Sequence, residues 1–210
     1  MINKQIRSII FDMDGVISDT QKNHSQIESQ LLSENGVNIT PEKITQRYSG
    51  VHTKEFFTSL LPEDIDIAKI LSEKWEIMEK MTRVSGINEI QGSVELIKSL
   101  SKKYSLGVAS ASPLSFIKIV LHSLQIESYF DIITSAEEVT KGKPEPDIFL
   151  LAAKRLGTDP KQCLVIEDGI SGMIGAKNAG MFCIGLVSTT SGDTDYPADI
   201  VITKLNQIKI

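Results

Sequence analysis

Cysteine is scarce: the 210 residues contain only two. Cys163 and Cys183 sit in apolar runs (CLVIED and MFCIGLV) with no C-x-x-C spacing. They read as small buried hydrophobes in a reducing compartment, with no basis for a disulfide framework or a thiolate metal site. No apolar run reaches the length of a bilayer span. The N-terminal MINKQIRSIIFDMDG pairs charges with an apolar run too short for a signal-peptide core, and that run ends in acids. No secretion signal is therefore expected, and a cytoplasmic location is. Positive charge is also in deficit, with 22 Lys and Arg against 27 Asp and Glu for a net charge of -5. The basic residues are scattered rather than blocked, so neither nucleic acid nor an anionic membrane is an expected partner. Internal repeats and low-complexity tracts are absent. What the chain does have is 41% hydrophobic residues, enough for one substantial core, as one domain or one domain with an insertion.

Four short apolar segments read as buried parallel strands: residues 6–12, 106–110, 163–167 and 181–187. Three of them are continuous runs of Val, Ile, Leu, Phe and Cys rather than alternating patterns, as expected where both sheet faces are covered. Residues 129–134 and 199–202 are weaker candidates that would extend the sheet. Helical periodicity separates the strands at 93–103, 112–125, 146–156 and 170–179. In the second of these, Ser112 before Pro113 reads as a helix cap followed by the preferred first-turn residue. Strand–helix alternation predicts a doubly wound, mainly parallel, Rossmann-like α/β sheet. Between Thr20 and about Asn88 the alternation stops, and only amphipathic helical patterns such as 26–36 and 65–83 appear. This predicts a helical domain at 20–88 inserted after the first strand, hinged to a core made of 1–19 and 89–210.

The chemistry concentrates at the ends of the predicted strands. Phe11-Asp12-Met13-Asp14-Gly15-Val16 follows the first apolar run. In an open α/β sheet the ligand crevice lies beyond the carboxyl ends of the strands. Asp12 and Asp14 would stand at that edge, with Gly15 letting the backbone turn away. Two carboxylates so close repel unless a cation compensates, and Mg²⁺ suits all-oxygen ligation. An EF-hand reading fits poorly, because Gly15 directly follows the second Asp and a strand precedes the motif. A bland strand-end turn stays open.

Glu167-Asp168-Gly169 repeats the arrangement, although Asp168 could equally cap the helix that starts near Ile170. Convergence of Asp12, Asp14 and Asp168 on one rim favours a hard-cation site. Ser110, followed by the free N–H groups of a helix start, is a natural phosphate cradle. Lys143, in Lys141-Gly142-Lys143-Pro144, is no P-loop lysine, since Glu137 stands where that motif needs its first glycine and Pro144 replaces Ser or Thr. It could be a solvated loop lysine, or it could offset four acids and bind phosphate.

Taken together and in this order, Asp12-Met13-Asp14-Gly15-Val16, Ser110, Lys143-Pro144 and Glu167-Asp168 resemble the four motifs of the haloacid dehalogenase superfamily. The subgroup most similar is that of beta-phosphoglucomutase and small phosphosugar phosphatases. The helical insertion then resembles that subgroup's cap domain. The resemblance implies Asp12 as the nucleophile and Asp14 as general acid, then base. It implies phosphoryl-oxygen binding by Ser110 and the Ala111 N–H, with Lys143 bridging to the nucleophile. It further implies Mg²⁺ held by Asp12, the Asp14 carbonyl and Asp168, with Glu167 acting through a bound water. The halide-releasing branch lacks the second aspartate, so Asp14 argues against dehalogenation.

Phosphatase and phosphomutase share this core, and the cap bears on the choice. His24 matches a histidine position of beta-phosphoglucomutase. The Gly50-Val51-His52-Thr53-Lys54 segment resembles the phosphate-gripping cap loop, but Thr53 replaces the arginine. Lys54 or Arg47 could substitute for it, though neither reproduces its bidentate grip by default. Phosphatase action on a small phosphorylated sugar, sugar acid or polyol is therefore the leading expectation, with substrate contacts near His24, Arg47, His52 and Lys54. His122 falls in a core-helix pattern and reads as structural. A phosphomutase is the alternative, and a catalytically idle binding module is the third reading. A monomer is the default oligomeric expectation.

Overall fold

The computed structural model describes residues 5–48, 53–187 and 195–210. Its centre is a six-stranded, all-parallel sheet: β1 (Ser8–Phe11), β2 (Ser105–Ser110), β3 (Ile132–Ser135), β4 (Cys163–Glu167), β5 (Phe182–Leu186) and β6 (Ile200–Ile202), in the order β3-β2-β1-β4-β5-β6. All four residues of β1 and all five of β4 are buried, which is why their sequences run continuously apolar. Side chains alternate between two cores. Ile9, Phe11, Leu164 and Ile166 face one layer, while Ile10, Val165, Cys163 and Cys183 face the other. The predicted doubly wound sheet is the observed one.

Four helices alternate with these strands: α5 (Ser93–Leu100), α6 (Leu114–Ser123), α7 (Asp147–Arg155) and α8 (Ile170–Asn178). Ile97 of α5 and Phe116, Ile117 and Val120 of α6 pack on the Ile9 face. Phe149 and Ala152 of α7, with Met173 and Ala176 of α8, pack on the Ile10 face. The chain lays β1, β2 and β3 outward on one side and then crosses to place β4 against the free edge of β1. The order therefore reverses between β1 and β4, the switch point at which such sheets open a crevice at their carboxyl ends.

Between β1 and α5 the described residues form four helices: α1 (Gln21–Glu34), α2 (Pro41–Tyr48), α3 (Thr53–Leu60) and α4 (Ile67–Ser85). The two chain crossings at their base lie side by side, with Asp19 N–H donating to the Asn88 carbonyl at 2.9 Å and Ile90 N–H to the Ile17 carbonyl at 2.9 Å. Helix α4 starts at Ile67 rather than the expected residue 65, because the Asp66 side chain accepts the Lys69 N–H and caps it. Helix α1 starts five residues before the expected position 26. Its first turn, Gln21-Lys22-Asn23-His24, has no apolar residue to set a period, since Gln21 and His24 line a cavity instead. Among the described residues no helix is long and apolar enough to cross a membrane.

Candidate active site

Strand register assembles the site. Phe11 pairs with Val108 on one side and Ile166 on the other, so Asp12 stands level with Ala109 and Glu167. The Asp12 N–H donates to the Ile166 carbonyl at 2.9 Å. The chain then turns tightly, with the Ile17 and Ser18 N–H groups both donating to the Met13 carbonyl. At Gly15 φ is +89°, and a Cβ there would lie 2.1 Å from Asp168 Oδ2. Glycine is thus required twice, for the turn and for Asp168 to sit against it.

Carboxylate oxygens of Asp12, Glu167 and Asp168 all lie within 4.8 Å of one another. Lys143 Nζ stands 2.5 Å from Asp12 Oδ1, 2.7 Å from Glu167 Oε2 and 3.2 Å from the Ala109 carbonyl. Burial would depress this ammonium, but the charges of Asp12 and Glu167 outweigh it and raise its pKa. Burial lifts Asp12 well above the usual carboxylate range, repulsion from Glu167 adds to the lift, and Lys143 opposes it. Asp168 is raised by burial first and then by Glu167 and Asp12. Three hard oxygen donors with more negative charge than one lysine can balance fit a divalent cation such as Mg²⁺.

Asp14 has the opposite environment. Thr20 Oγ1 donates to its Oδ1, and His24 Nε2 lies 3.4 Å from the same oxygen. Ser112 Oγ donates to Oδ2 at 2.9 Å, and Ser110 Oγ does so at 3.4 Å. Burial pushes Asp14 up, but the hydrogen bond and charge of His24, with the Thr20 and Ser112 hydroxyls, overcome it and hold the carboxyl at about 2.

One local expectation is corrected and one open alternative is closed. Ser112 does not cap a helix: α6 begins at Leu114 without a side-chain cap, and the Ser112 hydroxyl is spent on Asp14. Asp168 does not cap α8, whose start likewise has no side-chain cap. It accepts a hydrogen bond from Gln21 Nε2 at 2.5 Å.

A cavity opens from Asp12, Asp14, Lys143 and Asp168 toward Tyr48, Thr53, Lys74 and Trp75. Ala111 and His24 line it, the His24 ring meeting Trp75 edge-on at 5.5 Å. Ser110 is fully buried and accepts the Ser112 N–H at 3.1 Å. The structure does not bring Arg47 or Lys54 to the site: both are exposed, and neither lines the cavity. Their places in the short helices α2 and α3 point them outward, whereas Tyr48 and Thr53 face in. His52 lies outside the described residues. His122, read from the sequence as structural, is exposed in the last turn of α6.

Sequence reasoning missed Thr20, Gln21, Glu28 and Lys74. A signal existed for Lys74, which interrupts the apolar stripe Ile70, Met78 at four-residue spacing along α4. Glu28 similarly follows Ile27 and precedes Leu31 and Leu32 on the buried side of α1.

Residues 9–186 match the profile of the haloacid dehalogenase-like hydrolases. A phosphorylated carbohydrates phosphatase of Thermotoga maritima is 32% identical over 84% of this chain and 82% of its own length. A fructose-1-phosphate phosphatase of Escherichia coli is 31% identical over 82% of this chain and 92% of its own. The solved beta-phosphoglucomutase of Clostridium difficile superposes with a TM-score of 0.81 at 29% identity, covering 97% of this chain and 93% of that one. With the strand-end acids, the lysine and the serine gathered at one sheet rim, the chain belongs to the haloacid dehalogenase-like hydrolases, in the branch that holds phosphosugar phosphatases and beta-phosphoglucomutase.

Proposed function

We propose that this hydrolase is a Mg²⁺-dependent phosphatase that cleaves the phosphate ester of a small sugar or polyol through an aspartyl-phosphate on Asp12. The observation that carries the reading is the contrast between two aspartates only two residues apart. Asp12 is crowded by acids and touched by Lys143, while Asp14 is held ionised by His24, Thr20 and Ser112. Lys143 favours the ionised, nucleophilic form of Asp12, while Asp14, met by Thr20, His24 and Ser112, is placed to exchange protons.

In this scheme an Asp12 oxygen attacks phosphorus and the bond to the substrate oxygen breaks. Asp14 gives the departing oxygen its proton. Water then attacks the phosphorus, Asp14 takes the water's proton, and the Asp12 carboxylate is released. The ionised Asp14 is the form needed for the second step. The first step needs Asp14 protonated, and the proton it takes from water in the second restores that form for the next turnover. Lys143, Ser110 and the Ala111 N–H neutralise or hold the phosphoryl oxygens. A divalent cation held by Asp12, the Asp14 carbonyl and Asp168, with Glu167 acting through water, would supply the remaining charge compensation. Residues 20–88 act as a cap over the core of 1–19 and 89–210, closing to exclude bulk water. The adjacent Asp19 and Asn88 crossings support that division.

Relatives named as phosphatases of phosphorylated carbohydrates and of fructose 1-phosphate support the substrate class. A Bacillus subtilis beta-phosphoglucomutase, 29% identical over 98% of this chain, keeps the phosphomutase reading in play. Against it stands the outward placement of Arg47 and Lys54, which leaves neither to grip the second phosphate of a bisphosphate.

Phosphate release from a panel of phosphorylated sugars and polyols, with Mg²⁺ and with chelator, tests the proposal. Mg²⁺-dependent release that is abolished by Asp12→Asn is expected. Turnover near the parent level in Asp12→Asn removes Asp12 from its role. Formation of glucose 6-phosphate from glucose 1-phosphate plus catalytic bisphosphate, without matching phosphate release, replaces the phosphatase with the mutase.

A further inference from the structure

At the end of the cavity remote from Asp12 lies a buried ion pair that the proposed chemistry does not use. Lys74 is 1% exposed, and its Nζ stands 2.7 Å from Glu28 Oε1, 3.3 Å from Thr53 Oγ1 and 4.8 Å from the Trp75 ring centroid. All four residues line the cavity. Lysine is almost never buried this fully unless paired, so Glu28 is what allows the ammonium to be here. The charge at this end is thereby already balanced. Arg47 and Lys54 lie outside, and the intervening Ser49-Gly50-Val51-His52 contains no lysine or arginine.

We propose that Glu28 and Lys74 form a reader of uncharged hydroxyl groups, in which Glu28 is the specificity-determining residue that rejects substrates carrying a second anionic group. This rests on the phosphatase reading above and names the class of substrate the site takes. Among the described residues Glu28 Oε2 has no protein partner, while Lys74 spends two of its three N–H bonds on Glu28 and Thr53. A free acceptor beside a free donor matches neighbouring hydroxyls of a polyol chain, each of which can donate and accept.

The placement is also suitable. His24 touches Asp14, and Glu28 follows it by one turn of the same helix, a rise of about 6 Å. A substrate whose ester oxygen is served by Asp14 would thus carry its hydroxyls to Glu28 a few carbons away. A phosphate or carboxylate at that end would instead find the Lys74 charge already neutralised by Glu28 and would lose its hydration in a sheltered cavity without a compensating cation.

The test compares kcat/KM for fructose 1-phosphate and fructose 1,6-bisphosphate with Mg²⁺ present. These share a carbon skeleton and differ in the distal phosphate. The unaltered protein should favour the monophosphate by at least about tenfold, and Glu28→Gln, which keeps shape and removes charge, should shrink that ratio about tenfold. Lys74→Gln leaves Glu28 uncompensated and should enlarge the ratio. Because each protein is judged by a ratio, a general loss of activity does not obscure the result. A ratio unchanged within about twofold in Glu28→Gln, or both variants moving it the same way, overturns the proposal. Phosphate release by the unaltered protein from the panel of sugar and polyol phosphates separates the two levels. Its absence across the panel overturns the phosphatase reading and this one with it, whereas release with an unmoved ratio overturns the role of Glu28 alone.

Discussion

Lys143 Nζ lies 2.5 Å from Asp12 Oδ1, although 131 residues separate them in the chain. The ammonium also reaches Glu167, so a single cation holds together two acids that would otherwise repel. Lys143→Met keeps the stem and deletes the charge. It should lower kcat by roughly 10²–10³, the usual cost of losing one fixed group that compensates transition-state charge. It should also lower thermal stability in chelator, since breaking a buried pair from one side costs about 3–5 kcal/mol. Lys143→Arg should not restore activity, because a planar fork does not fit the point between two carboxylates. Steady-state kinetics and thermal melts check both; a kcat within about threefold of the parent in Lys143→Met would sink the assignment.

Why Lys143 could be placed from the sequence, while Lys74 could not, is a matter of where each sits. Lys143 precedes a core helix and accompanies three other strand-end motifs, so topology alone carries Asp12, Ser110, Lys143 and Glu167 to one rim. The strands were legible for a related reason: burial on both faces leaves unbroken apolar runs such as Cys163–Glu167. The short helices α2 and α3 were not, having eight residues each with one or two buried, too few to display a period. The first turn of α1 was lost because cavity-facing Gln21 and His24 displaced the apolar stripe. Ser112 was misassigned because a serine before proline fits a cap on local grounds, and only the three-dimensional approach of Asp14 shows where its hydroxyl goes.

The acid cluster makes stability depend on pH in a direction opposite to that of ordinary carboxylates. Asp12 and Asp168 have raised folded-state pKa values, burial first and then neighbouring acids. The folded protein therefore holds more protons than the unfolded chain across the interval above about 4, so stability falls as pH rises through the raised values. Asp14, held at about 2, contributes in the other sense, its stabilisation being lost only as pH drops below the usual carboxylate range. In chelator the melting temperature should decline from pH 5 toward pH 8. Added Mg²⁺ should raise it, and more so at pH 8, where protons no longer compete for the same oxygens. A melting temperature indifferent to Mg²⁺ at pH 8 would remove the cation from this cluster.

Gly172 offers a test that leaves every polar group in place. It lies inside α8, where alanine would ordinarily strengthen the helix by up to about 1 kcal/mol. A Cβ there, however, would stand 2.1 Å from Glu167 Cδ and Oε2. Since Oε2 is the oxygen that meets Lys143, Gly172→Ala must swing the Glu167 carboxylate away from both the lysine and the other acids. The expected outcome is a folded protein with kcat/KM reduced about tenfold and a raised Mg²⁺ requirement, in line with losses seen when groups supporting a metal site are displaced. Mg²⁺ titrations of activity decide it, and parent-like Mg²⁺ dependence in the variant would show that Glu167 has no part in the centre.

His24 governs the protonation of Asp14, and that has a visible kinetic consequence. After the opposing effect of burial, its hydrogen bond and charge are the largest influences holding Asp14 at about 2. When the water step limits turnover and ionised Asp14 must accept its proton, kcat for the unaltered protein with saturating Mg²⁺ stays flat down to the lowest pH at which the fold survives. His24→Ala removes both lowering influences and leaves burial to act, so the Asp14 pKa must rise. The acidic limb of the profile then moves to higher pH, into the range where the protein is folded. Ser112→Ala removes a weaker influence and should move the limb in the same direction by less. A merely structural role for His24, through its edge contacts with Trp75 and Phe116, would lower the rate at all pH values without moving the limb. A pH–rate profile of unchanged shape in His24→Ala would therefore break the link between the two residues.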